Sequence, residues 1–361
     1  MTLSSLTREL VSIPSHDDET AVGDRIESWL RAETSATVRR DEAGNVFATR
    51  GAGPQLALVG HHDVVAPDDS QVDGDAYFVE ERDGRLYGRG TADMKGAVAA
   101  QLLAFRDADP GVSGELVFAS FVGEEVGGEG ARHAIDDGFA PEYAVVGEGS
   151  TNYSGRDVTD VVVAHKGRRA STITARGSAA HASEPDAGEN AIYRATDAVE
   201  IVRELTAPTV EVAGESLAGT VVVTEIDGGS GWNVVPERCT ITVDERTVPG
   251  ERASLDRVDS IDGVEWNVDQ DLPPMRCGDE AFARTVREAA TDVQTGSPEL
   301  VTKPHATDAG WLAAAGTACV VVGPAEPGEA HTADESVSID VLERCQRIYA
   351  AIVDRWPKCA D

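Results

Sequence analysis

Apolar and polar positions follow two different rhythms along this chain. Residues 3–11 and 20–33 repeat their apolar positions every three to four residues, the spacing of amphipathic helices, with an Ile-Pro-Ser turn at 13–15 between them. Uninterrupted apolar runs follow at Gln55–Val59, Leu116–Val122, Tyr143–Val146 and Cys319–Val322, each bounded by glycine or charged turns, which predicts buried strands. A further helix is predicted from about Ala97 to Phe105. Strands alternating with helices predict an α/β layered domain.

Between about Lys166 and Asp271 the period drops to two. Strands are predicted at Ala170–Ala175, Thr220–Ile226 and Thr240–Val243, with helical stretches at Asn190–Leu205 and Arg252–Asp259. That order implies a small α+β sheet covered by helices on one face. A chain of 361 residues is long enough for two domains. Residues 167–272 are therefore read as an inserted domain, with 1–166 and 273–361 together forming the first. No tandem repeat is visible, and an aromatic content of 5% is too low for a base-stacking platform.

Charge narrows the functional classes. Acidic residues number 64 against 31 basic ones, and the lysines are only four, Lys95, Lys166, Lys303 and Lys358. A net charge of −33 offers no basic patch to neutralise phosphates, which argues against nucleic acid and anionic membranes as partners. The surface is halophile-like: self-repulsion is large in dilute salt and tolerable where the screening length falls to roughly 3 Å, near 1 M. The circular-dichroism melting temperature should therefore rise between low and molar KCl; an unchanged melt would remove the halophilic reading. MTLSSLTREL has no basic segment leading into an apolar one, and no run of 18 apolar residues occurs, so a cytoplasmic location is expected. Cys239, Cys277, Cys319, Cys345 and Cys359 are widely spaced without a C-x-x-C pair and read as isolated thiols.

Chemistry enters with five segments in fixed order: GHHDVV at 60–65, GRGTADMKG at 88–96, FVGEEVGG at 121–128, VVGEGS at 145–150 and GEAHTADES at 328–336. His61 and Asp63, at i and i+2 after an apolar strand, can project from one face, the histidine towards a metal and the aspartate orienting it. Taken alone, H-x-D also fits a solvated turn, and His62 points the other way as a bystander. Asp93 opens a helix from a glycine-rich turn, where its two oxygens can bridge two metals or simply cap the helix. Glu124 and Glu125, adjacent at a strand end, point in different directions, which suits one as ligand and one as base, although such pairs are common in an acidic chain. Glu148 offers another oxygen and His331 a second imidazole. Mixed histidine and carboxylate ligation suits zinc or cobalt better than magnesium, and no paired cysteines provide a structural thiolate site.

Together these segments resemble, nearly word for word, the dinuclear-zinc amidohydrolase and peptidase family that contains acetylornithine deacetylase, succinyl-diaminopimelate desuccinylase, aminoacylase and the glutamate-releasing carboxypeptidase. The resemblance implies a three-layer zinc-peptidase-like α/β catalytic domain with an inserted α+β lid and dimerisation domain. It makes His61 and Glu148 ligands of one metal, Glu125 and His331 ligands of the other, Asp93 the bridge, Glu124 the general base and Asp63 the partner of the histidine. The implied cofactors are two divalent ions per chain, zinc foremost, with cobalt or manganese tolerated. Hydroxide generated from metal-bound water, whose pKa falls from about 15.7 towards 7, would attack the amide, with Glu124 taking its proton and passing it to the departing amine.

The resemblance continues into the inserted segment. GSAAHASEPDAGENAI at 177–192 matches the stretch whose histidine, here His181, reaches the scissile carbonyl, in many members across a homodimer. GGSGWNVVPERCTITVDER at 228–246 matches the segment that brings Asn233 and Arg246 to the substrate, and GRRAS at 167–171 makes Arg168 and Ser171 contacts to a substrate carboxylate. Each arginine alone also fits a surface ion pair, worth at most about 1 kcal/mol. One departure stands out: where the desuccinylase pattern has Gly-Gly-Thr-Ser-Asp, this chain has Pro304, His305, Ala306, Thr307 and Asp308. The expected reaction is hydrolysis of an N-acyl amino acid in amino-acid biosynthesis, the alternative a carboxypeptidase or dipeptidase. A non-catalytic binding protein should have lost ligands or the base, and all of these positions are present.

Overall fold

A computed structural model describes residues 1–108 and 114–356; Lys358 and Cys359 lie outside the described residues. The chain divides into two compact units, Met1–Ala164 with Met275–Lys303 and Thr307–Asp361, and His165–Pro274 with Pro304–Ala306.

The first unit is built on a nine-stranded mixed sheet. Its centre is four parallel strands in the order Glu115–Phe121, Gln55–His61, Tyr143–Val146, Ala318–Val321. Nearly every residue of the first three is buried, as expected for strands covered on both faces, and this is why they read as continuous apolar runs. Antiparallel strands flank them: Val46–Gly51 and Thr37–Arg40 on one side, Val161–His165 on the other.

Alternation along each strand separates two cores. Ala57, Val59, Val117, Ala119 and Phe121 pack with Ala131 and Ala134 of helix Glu129–Asp136 and with Ala309 and Leu312 of helix Ala309–Ala314. On the opposite face lies helix Lys95–Asp107, whose residues 95–105 are all buried. It approaches the sheet closely because glycines face it: a Cβ on Gly60 would sit 2.8 Å from the Met94 Cε, and one on Gly147 2.7 Å from it. Fully burying a leucine or valine in such layers contributes about 1.5–3 kcal/mol. Helices on both faces of a mixed sheet make this an α/β three-layer fold.

Strand order places the functional site. From Gln55–His61 the chain passes to Glu115–Phe121 on one side and then to Tyr143–Val146 on the other. In open α/β sheets, that reversal opens a crevice at the carboxyl ends of the strands.

The second unit is a four-stranded antiparallel sheet in the order Thr220–Gly228, Arg238–Thr247, Gly167–Arg176, Val264–Leu272. Helix Ala191–Glu204, capped by the Asn190 side chain on the Ile192 and Tyr193 N–H groups, packs Ala191, Ala195, Ala198 and Val202 against Ile173, Ile241 and Val243. The helix expected at Arg252–Asp259 is instead a six-residue 3-10 helix, Leu255–Ser260. Its two apolar anchors, Leu255 and Val258, are three residues apart and suit a three-residue turn. Strand Val264–Leu272 escapes the sequence pattern because it is an edge strand of mostly exposed, acidic composition.

Among the described residues no helix is long and apolar enough to cross a membrane. Cys239, Cys277, Cys319 and Cys345 are free thiols. Lys95 and Lys303 are buried, so the positive charge on the described surface is almost entirely arginine.

Candidate metal centre

His61 ends its strand with the imidazole buried between three carboxylates. Its Nδ1 lies 3.2 Å from Asp63 Oδ1, and its Nε2 lies 3.1 Å from Asp93 Oδ1 and 3.2 Å from Glu148 Oε1. His331 arrives from a loop near the other end of the chain, with Nε2 3.1 Å from Asp93 Oδ2 and 2.9 Å from Glu125 Oε1. The two oxygens of Asp93 thus face two different imidazoles. Ligand atoms of His61, Glu124 and Glu148, and of His61, Asp93 and Glu125, each fall within 4.8 Å of one another.

The local sequence explains the arrangement. The turn after strand Glu115–Phe121 needs left-handed backbone at Gly123, Gly127 and Gly128, with φ of 62°, 113° and 72°. This turn lets both glutamates leave the strand end before helix Glu129–Asp136 begins. Asp63 joins two pieces, since its Oδ2 accepts from the Glu125 N–H at 3.0 Å while its other oxygen holds His61. His331 itself sits at φ 64°, unusual for a residue with a Cβ and of order 1–3 kcal/mol in cost, a kind of strain that clusters at functional sites. His62 faces away, buried with Nδ1 2.8 Å from Ser120 Oγ and pushed down to about 3 by burial.

Electrostatics shows what the cluster lacks. Asp63, Asp93, Glu124, Glu125, Glu148 and Asp308 act on one another here, and two like charges 4 Å apart repel by about 4 kcal/mol at an effective dielectric near 20. Protons fill part of the gap. Burial opposes charge on His61, but Asp63 and the hydrogen bonds to Asp63, Asp93 and Glu148 hold its pKa well above the ordinary value. Hydrogen bonds to Asp93 and Glu125 raise His331 to about 10. Burial lifts Glu124 well above the carboxylate range, and burial with its acidic neighbours lifts Asp308 to about 8. The Asp308 Oδ1 is buried without a hydrogen-bond partner among the described residues. A donor set of two imidazoles and several carboxylates around an orphaned oxygen fits borderline divalent cations such as zinc, cobalt or manganese, which would take the places these protons hold.

Sequence patterns alone do not mark out three further members. Lys303 Nζ, buried, lies 3.1 Å from Glu148 Oε2 and fixes the oxygen that does not face His61. Its only signal is its rarity: it ends the short strand Leu300–Lys303 in a chain with four lysines. Asp308 lies within the segment that departs from the desuccinylase pattern, and Glu335 four residues beyond His331.

The remaining candidates belong to the second unit. His181 is exposed, with Nδ1 2.6 Å from Ser183 Oγ, and Asn233 is exposed beside Trp232, whose side chain is wholly uncovered. Arg168 and Arg246 grip the same carboxylate, Arg168 Nε donating to Asp244 Oδ2 at 2.7 Å and Arg246 Nε to Oδ1 at 2.8 Å. Ser171 points inward from the same sheet, fully buried, its hydroxyl without a partner among the described residues.

Known proteins share this architecture and sequence. An acetylornithine deacetylase of Myxococcus xanthus is 30% identical over 341 residues, covering 87% of this chain and 85% of its own. A succinyl-diaminopimelate desuccinylase of Stenotrophomonas maltophilia is 29% identical over 337 residues, covering 88% of each chain. The crystal structure of the aminopeptidase PepT of Bacillus cereus superposes with a TM-score of 0.79 at 20% identity, covering 99% of this chain and 98% of that one. Residues 57–355, which hold every member of the carboxylate and imidazole cluster, match the pattern of peptidase family M20/M25/M40, and the chain belongs to that family.

Proposed function

We propose that this M20-family hydrolase cleaves the amide bond of an N-acyl amino acid with the help of two divalent metal ions. The observation that carries the reading is Asp93, whose two oxygens lie 3.1 Å from His61 Nε2 and 3.1 Å from His331 Nε2. In this reading His61 and Glu148 hold one ion, Glu125 and His331 the other, and Asp93 both. Zinc is the leading candidate. Such ions supply Lewis acidity and lower the pKa of a bound water to near 7.

The chain's own groups do the rest. Glu124, kept basic by burial, accepts a proton and returns it to the amine that leaves. Asp63 sets the tautomer of His61 by facing its Nδ1. To the second unit, residues 167–272 in the sequence reading, we assign the role of lid and dimerisation domain, with His181 stabilising the oxyanion and Asn233, Arg168 and Arg246 recognising the substrate. Two arginines sharing the one carboxylate of Asp244 leave a net positive charge, and a substrate carboxylate can recruit a guanidinium edge that Asp244 does not occupy. Ser171, being buried, is left out of this set.

Deacylation is favoured over peptide cleavage because the curated relatives at 29–30% identity are a deacetylase and desuccinylases. The test is amine release by metal-stripped protein in molar KCl, with and without zinc or cobalt, from N-acetylornithine, N-succinyl-diaminopimelate, other N-acyl amino acids and dipeptides. Metal-dependent release from an N-acyl compound supports the reading. Turnover of dipeptides alone transfers the protein to the peptidases.

A further inference from the structure

Glu335 is buried at 1% exposure, and nothing in the proposed chemistry uses it. Its Oε1 accepts three backbone N–H groups of one turn, Gly90 at 2.8 Å, Ala92 at 3.0 Å and Asp93 at 3.2 Å. Its other oxygen pairs with the buried guanidinium of Arg89, and its backbone carbonyl accepts from the Gly88 N–H at 3.0 Å. The turn from Gly88 to Asp93 is therefore wrapped around one carboxylate. That carboxylate belongs to the segment that carries His331, and the segment is further fixed by Gln71 Nε2 donating to the Thr332 carbonyl at 3.1 Å and by pairing of Ser336–Ser338 with Arg85–Tyr87.

A carboxylate that gathers three N–H donors fixes a turn more firmly than neutral hydrogen bonds do, since charge-assisted bonds are roughly twice as strong. We infer that Glu335 is a positioning residue: it holds the Asp93 turn in register with His331, so that the bridging carboxylate stands between both imidazoles before any metal arrives. The inference rests on the proposed role of Asp93. It gives the last motif of the chain two tasks, one ligand and one clamp on the ligand opposite.

The test measures zinc affinity by competition with a chromogenic chelator, together with the visible spectrum of the cobalt-loaded protein, in molar KCl. Glu335→Asp keeps the charge but draws the carboxylate back by one methylene. It should weaken zinc binding by about 10–100-fold, the usual effect of losing a partner behind a ligand, and alter the cobalt bands, with the melt of the chelated protein little changed. The double variant Glu335→Gln with Arg89→Gln removes the buried ion pair yet leaves an amide oxygen in place for the same three N–H groups, and should lose less affinity than Glu335→Asp, since the bonds are kept in position but lose their charge assistance. Wild-type affinity and cobalt spectrum in Glu335→Asp would overturn the clamp, as would equal losses in both variants that follow their melting temperatures. A wild-type protein that binds no zinc would instead overturn the metal centre itself.

Discussion

Replacing Glu124 by alanine should lower turnover by about 10²–10⁴-fold, the range typical of a lost general acid–base, while the protein keeps both metals. The prediction separates two roles that the geometry brings close together. Glu124 stands within ligand reach of His61 and Glu148, so its position alone would allow coordination. Its surroundings favour the base: burial and the neighbouring Asp308, Glu148 and Glu125 raise its proton affinity, with His61 opposing them. Metal analysis beside single-turnover kinetics decides the matter. Loss of metal from Glu124→Ala would make the residue a ligand and leave the base unidentified. Glu124→Gln, which keeps the shape and removes the basicity, should be as slow as the alanine variant.

Asp93→Ala should do more damage, and to both metals at once. Each oxygen faces a separate imidazole, so under the proposed two-ion arrangement removing the side chain takes a ligand from both positions. Zinc affinity should fall well beyond the ~10–100-fold typical of a partner behind a ligand, and turnover should drop to background. Stability follows the same linkage: a metal present at a hundredfold over its dissociation constant stabilises the fold by about 2.7 kcal/mol, and this increment should vanish from the melt of Asp93→Ala. Retention of one tightly held ion would show that the two positions do not share Asp93. Asp93→Asn, with one oxygen left, should show which imidazole that oxygen serves.

Much of the fold was legible because burial and period agree. Strands Gln55–His61 and Tyr143–Val146 are buried on both faces and had no polar alternation to obscure them. Helix Leu3–Ser12 showed its period because it buries one face, Leu3, Leu6, Thr7, Leu10 and Val11, and leaves the other at least partly open. Edge strand Val264–Leu272 was hidden for the opposite reason, since exposed acidic positions erase the pattern. In the metal centre, the groups set at strand ends and glycine turns could be read locally. Lys303, Asp308 and Glu335 could not: Lys303 matters through its contact with Glu148, Glu335 through the Gly90–Asp93 turn, and Asp308 through burial near the charges of Asp63, Glu125 and Glu148, all far away in sequence. The shared grip of Arg168 and Arg246 on Asp244 was equally invisible, because strand register, not spacing, sets Arg168 opposite Arg246.

The centre draws His61, Asp93, Glu124, Glu125 and Glu148 from the first half of the chain, whereas His331 and the Glu335 clamp come close to its end. A ribosome adding about 5–20 residues each second therefore exposes an acidic half-site for many seconds before its closing pieces emerge. Until then the nascent protein can offer a cation only one imidazole of the pair. Final capture of metal must then wait for the segment at 328–336 to emerge and dock, and a chain released before it should be poorly metallated however well its central sheet has formed.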